Sequence, residues 1–134
     1  MRSAKDVEAY LGRMNRRFSQ LEAEPGTYVV EPTDPKLPPL AMRVDPPIVV
    51  LRVHVGDVPR DGQFHVELYR RLLTLNARAL VHSSFGLEDD KIVLVSALEL
   101  ENLDYNELEA TLDEIEMVLV QQVEKLADLS SKKD

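Results

Sequence analysis

The sequence predicts an α+β fold: one antiparallel sheet of about five strands flanked by three helices, in the order α-β-β-β-α-β-β-α. Three observations carry this expectation. Apolar residues recur at spacings of three and four in three separate stretches. Five short, β-branched segments bounded by proline, glycine or aspartate lie between and around them. The chain is 134 residues long and 44 % hydrophobic, which suits one domain spanning 1–134 around a single core. Strands joined by short turns pair antiparallel, with helices packed on one side of the sheet.

Ser3 with Asp6 forms a capping-box pattern ahead of the first helix. Val7, Leu11, Met14, Phe18 and Leu21 make its apolar stripe, and Pro25-Gly26 is expected to stop it. Thr27-Tyr28-Val29-Val30-Glu31 reads as a strand. Residues 32–39 hold four of the eight prolines and read as a stiff surface connection. Leu40 to Val44 is a second strand, broken by Asp45-Pro46-Pro47. In the third strand Val49, Leu51, Val53 and Val55 share an apolar face, and Ile48, Val50, Arg52 and His54 fall on the other.

After a loop from Gly56 to Gly62, a second helix is expected from about Gln63 to Asn76, with Phe64, Leu68, Leu72 and Leu75 in register. Ala79 to Phe85 and Lys91 to Leu98 are the last two strands, joined by a turn at Gly86 to Asp90. Asp104 with Glu107 caps a third helix. Its stripe is Leu108, Leu112, Ile115, Leu119 and Leu126, widened by Val118 and Val123, and residues 130–134 read as a frayed tail.

The net charge of −8 is unevenly distributed. Residues 1–87 carry 12 Lys+Arg against 10 Asp+Glu, whereas residues 88–134 carry 4 against 14. So acidic a C-terminal third disfavours phosphate contacts and favours a basic protein partner. There are no cysteines, which excludes disulfides, thiol catalysis and cysteine-held metals and fits a reducing compartment. The start is charged, with no apolar signal segment, and no apolar run nears the ~20 residues of a membrane span. A cytoplasmic protein is expected.

Several pieces resemble the YbjN-like family: Leu72-Leu73-Thr74-Leu75-Asn76, the hairpin around Gly86 to Lys91, Ile92-Val93-Leu94, Leu98-Glu99-Leu100-Glu101-Asn102-Leu103-Asp104, and Glu107-Leu108 opening a long final helix. The same pieces resemble the type III secretion chaperones of the Tir-chaperone, CesT-type fold. The similarity covers residues 68–126, and the proline-rich region from Pro32 to Pro47 is not part of the pattern. The resemblance implies a small acidic bacterial homodimer that binds other proteins and turns over no substrate.

Little in the chain points to catalysis. His54, His65 and His82 have no second histidine at i+2, i+3 or i+4, so they form no local metal motif. Ser83 and Ser84 lack a glycine-flanked nucleophile turn, and His82 with Ser84 reads as an outer strand face. Glu88, Asp89 and Asp90 do not have the spacing of an EF-hand and read as a solvated turn. Glu107, Glu109, Asp113, Glu114 and Glu116 are expected to line the solvent side of the last helix rather than to face one another across a cleft.

Taken together these readings predict no enzyme, no cofactor and no metal, and instead a chaperone- or adaptor-like homodimer acting on a protein client. The client-binding residues expected are Glu109, Asp113, Glu116, Arg52 and His54, and the dimer interface expected is Val66, Tyr69, Leu73, Ile48 and Val50. The alternative is a nucleic-acid-associated regulator, or a partner of a nucleic-acid-binding protein, using the basic cluster Arg2, Arg13, Arg16 and Arg17. Tyr10 is the only aromatic interleaved with that cluster.

Overall fold

The computed structural model describes residues 1–60, 62 and 65–131. Helix α1 spans Ala4–Arg13, followed by strands β1 (Phe18–Gln20), β2 (Thr27–Val30), β3 (Leu40–Asp45) and β4 (Ile48–Asp57). Helix α2 (His65–Arg78), strands β5 (Ser84–Glu88) and β6 (Lys91–Glu99), and helix α3 (Tyr105–Ser131) complete the chain. The expected positions Gln63 and Phe64 of the second helix lie outside the described residues. Of the expected tail, Ser130 and Ser131 fall within α3, and Lys132, Lys133 and Asp134 lie outside the described residues.

The expected α+β architecture is present with one strand more, and the first helix is shorter than its stripe implied. Arg16 N–H bonds to Leu11 C=O and Asn15 N–H to Gly12 C=O, while Asn15 takes φ 59°. This is a left-handed helix stop with asparagine in the place usually held by glycine. It frees Phe18–Gln20 to pair antiparallel with Val30–Tyr28, and Phe18 keeps its core contact as an edge-to-face partner of Tyr28, 5.9 Å between ring centres. A repeat of threes and fours cannot distinguish that outcome from a longer helix.

All pairings are antiparallel, in the order β1-β2-β3-β4-β6-β5, so β1 and β5 are the sheet edges. The expected strand from Ala79 is displaced to Ser84 because α2 runs on to Arg78 and closes through Ala79 and Leu80 N–H onto Leu75 C=O. Gly86 and Leu87 are therefore strand residues, and the turn narrows to Asp89-Asp90, with Asp89 at φ 55°. Pro46-Pro47, joined by a cis peptide bond, turns β3 into β4.

Val49, Leu51 and Val53 are fully buried on the inner face, where they join Tyr28, Met42, Leu94 and the apolar sides of all three helices in one core. A register shift between His54 and Gly56 leaves Val55 only half-buried. The first and last helices meet through backbone carbonyls near the start of α3. Arg2 Nε donates to Leu103 C=O at 2.8 Å and Tyr10 Oη donates to the same carbonyl at 3.2 Å. Both expected caps form: Asp6 N–H bonds to the Ser3 hydroxyl, and Glu107 N–H to the Asp104 carboxylate.

Candidate protein-binding surfaces

Helix α2 exposes an apolar strip. Leu68 and Leu72 enter the core, whereas Val66 is 76 % and Leu73 67 % exposed. Tyr69 and Leu73 also border a groove between α2 and β5, together with Leu72, Asn76, Phe85, Gly86 and Leu87. Monomeric proteins seldom leave contiguous apolar surface open, so such a strip points to association.

Ile48 and Val50 do not join this strip. Strand alternation puts them, with Arg52 and His54, on the sheet face opposite the helices, where Val50 and Arg52 border a shallow groove with Val81, His82, Ser83, Ser84, Val95 and Ala97. The five residues expected to form one dimer interface thus occupy two separate surfaces.

The residues expected to bind a client divide in the same way. Arg52 forms a two-pronged ion pair with Glu88 of β5, its Nη1 3.0 Å from Oε1, and His54 Nε2 lies 2.9 Å from Asp57 Oδ1. Both pairs are exposed on the outer face, where each adds little stability. Glu109, Asp113 and Glu116 sit on α3, in the other layer. Of the three only Asp113 is exposed; Glu109 accepts from the Tyr105 hydroxyl at 2.9 Å.

Glu116 corrects the solvent-facing expectation. Its Oε2 accepts from Arg16 Nη1 at 2.8 Å, and its Oε1 accepts both the Thr33 N–H, at 2.8 Å, and the Thr33 hydroxyl. Arg16 Nη2 reaches Asp113 at 3.0 Å, and the Arg16 side chain is only 11 % exposed. Burial raises the Glu116 carboxyl, but the Thr33 and Arg16 contacts outweigh it and hold it below the ordinary glutamate range. The carboxylate therefore pins the proline-rich segment onto α3. The basic cluster is divided by the same contacts: Arg16 is paired, and Arg13 stacks 4.0 Å above the Tyr105 ring.

Glu114, also expected in solvent, is 8 % exposed. It accepts from Val81 N–H at 2.7 Å, His82 N–H at 2.8 Å and the Ser83 hydroxyl at 2.7 Å. Burial pushes its carboxyl up, and those three donors more than reverse the shift, so it stays below the ordinary range. Its signal was legible in part: Thr111, Glu114, Val118 and Gln122, spaced by three and four, form a second buried stripe of α3. The histidines do not converge, and among the described residues no group of three or more carboxylates and histidines is placed to hold a metal ion.

The model of the CesT_Tir_1 family matches residues 1–132. The chain belongs to the CesT_Tir_1 family. A chain of the heterodimeric ExoU–SpcU complex from the type III secretion system of Pseudomonas aeruginosa superposes with TM-score 0.69 at 19 % identity, covering 93 % of this chain and 98 % of that one. YbjN from E. coli gives TM-score 0.62 at 14 % identity, covering 89 % and 90 %. A chain of the complex between the Yersinia pestis type III secretion chaperone SycH and a fragment of YscM2 gives 0.57 at 16 %, covering 92 % and 98 %. At such identities the likeness is one of fold, the secretion-chaperone-like fold expected from the sequence. No curated protein matches the chain. Among the described residues of this CesT_Tir_1 member, no helix is long and apolar enough to cross a membrane.

Proposed function

We propose that this CesT_Tir_1 member is a non-catalytic protein-binding module of chaperone or adaptor type, acting as a homodimer on a protein client. The exposed apolar strip of α2 carries the reading: Val66, Tyr69 and Leu73 lie on one helical face, and among the described residues no element covers Val66 or Leu73. Fold likeness to the SycH–YscM2 and ExoU–SpcU complexes supports a protein as the partner. The α2 strip is the dimer contact. The client meets α3, where Asp113 and Glu109 belong to the acidic third of the chain, and a basic client is drawn in by that field while apolar contacts set the lifetime.

Light scattering at micromolar concentration tests the reading. The wild type should show twice the monomer mass, and Val66→Arg with Leu73→Arg should show the monomer mass with an unchanged circular dichroism spectrum. A monomeric wild type overturns the homodimer. Wild type and double variant should then be compared in affinity capture from the native lysate. Tight, steeply salt-dependent binding to DNA with no protein retained would overturn the protein client.

A further inference from the structure

Among the described residues strand β5 pairs with β6 on one side only, so its other side is a sheet edge. Such an edge offers backbone N–H and C=O groups to any extended chain, including a second copy. On this edge a side chain already occupies one of those positions. Asn76, in the last turn of α2, accepts the Phe85 N–H through Oδ1 at 2.7 Å and donates through Nδ2 to the Phe85 C=O at 3.0 Å. Those are the two hydrogen bonds that the backbone of an added strand would make to Phe85.

Because the β5–β6 register is continuous from Ser84 to Glu88, peptide groups alternate in direction, and the next residue facing outward is Leu87. Leu87 is 49 % exposed and lines the same groove as Asn76, Tyr69 and Leu73. The edge thus has two outward-facing residues; one is capped by an amide, and the other lies open beside apolar surface. A strand cannot dock over Leu87 and continue past Phe85 without displacing the Asn76 amide.

We propose that Asn76 closes the β5 edge: its amide imitates a neighbouring strand and prevents edge-to-edge pairing of this chain with a second copy. A side-chain amide suits the task because it carries a donor and an acceptor side by side, the same pair that a residue of a neighbouring strand presents through its own N–H and C=O. Tyr69 and Leu73 of the homodimer strip border the same groove, but the closure is read at the Phe85 amide and the homodimer at the wild-type mass, so the two readings can fail separately.

The test is amide hydrogen exchange combined with light scattering over a range of protein concentrations. In the wild type the Phe85 amide should be protected despite lying on an edge. At the lowest concentration Asn76→Ala should lower that protection at least tenfold, and as concentration rises it should raise the mass beyond the wild-type value, the Phe85 amide regaining protection as the edges pair. Asn76→Ala with Leu87→Pro, which removes the remaining outward donor, should return the mass to the wild-type value. Asn76→Asp, which keeps the acceptor and loses the donor, should fall between and serves if the alanine variant fails to fold. An unprotected Phe85 amide in the wild type overturns the proposal. So does an alanine variant of wild-type mass, an association that persists with proline at 87, or an aspartate variant of wild-type mass and protection where the alanine variant does not fold.

Discussion

Replacing Glu114 by alanine should destabilise the protein by about 3 kcal/mol, an effect out of proportion for a glutamate in so acidic a helix. The carboxylate is 8 % exposed and accepts three hydrogen bonds from the turn between α2 and β5, two from backbone N–H and one from the Ser83 hydroxyl. A hydrogen bond to a charged group contributes roughly 1.5–3 kcal/mol net, so three at the lower end would give about 4.5 kcal/mol, and the freed donors that regain water bring the loss down to about 3. Glu114→Gln, which retains one acceptor oxygen but sets an NH2 group against N–H donors, should cost about 1.5 kcal/mol. The sign of the pH dependence follows from the depressed carboxyl. Stability from a lowered acid is present above its unfolded value, about 4.3 for glutamate, and is lost as pH falls through the folded value. The gap between wild type and Glu114→Gln should therefore be full at pH 7 and narrow progressively below about pH 4.3. Urea unfolding followed by far-ultraviolet circular dichroism measures it, since the chain has no tryptophan. A Glu114→Ala loss below about 0.5 kcal/mol, or a gap that does not narrow in acid, would refute the clamp.

Leu94 is fully buried opposite Val53 at the centre of the sheet, and Leu94→Ala should cost about 3 kcal/mol in the same urea assay; a loss under about 1 would mean that the core closes around the gap. Glu116→Gln should cost about 1–2 kcal/mol and speed proteolysis in residues 31–39, whereas Asp113→Asn should change stability by less than about 0.5; equal effects would contradict the pinning of Thr33 by Glu116. Tyr28 is buried and donates to Glu8 Oε2 at 2.6 Å, and burial followed by that carboxylate pushes its hydroxyl up to about 12. One of the four tyrosines should thus ionise last in an ultraviolet titration, a step absent from Tyr28→Phe. Because that value is raised, its contribution to stability holds up to about pH 10, the ordinary tyrosine range, and declines from there upward.

Much of this protein is written in short-range chemistry, and that part was legible without coordinates. The caps at Ser3–Asp6 and Asp104–Glu107 span three residues each, and β4 shows its inner face through simple alternation at Val49, Leu51 and Val53. These features depend on neighbours a few positions away, so periodicity and capping residues reveal them. The end of α1 was a borderline case. Asn15 is a local stop signal, yet Phe18 and Leu21 continue the helical spacing, and only the partner strand Tyr28–Val30 decides in favour of β1. What tertiary structure alone decided is which carboxylates meet a partner. Glu109, Asp113, Glu114 and Glu116 have the same chemistry and stand within eight positions of one another, yet Glu114 meets Ser83 across 31 residues and Glu116 meets Arg16 across 100. Likewise Asn76 reads locally as a helix-end residue, and its bonds to Phe85 exist because α2 lies along the edge of a sheet built from strands on both sides of it in sequence. A side chain's type and spacing fix which face of its own element it occupies; its partner is set by the element packed against that face, and that is a property of the whole core.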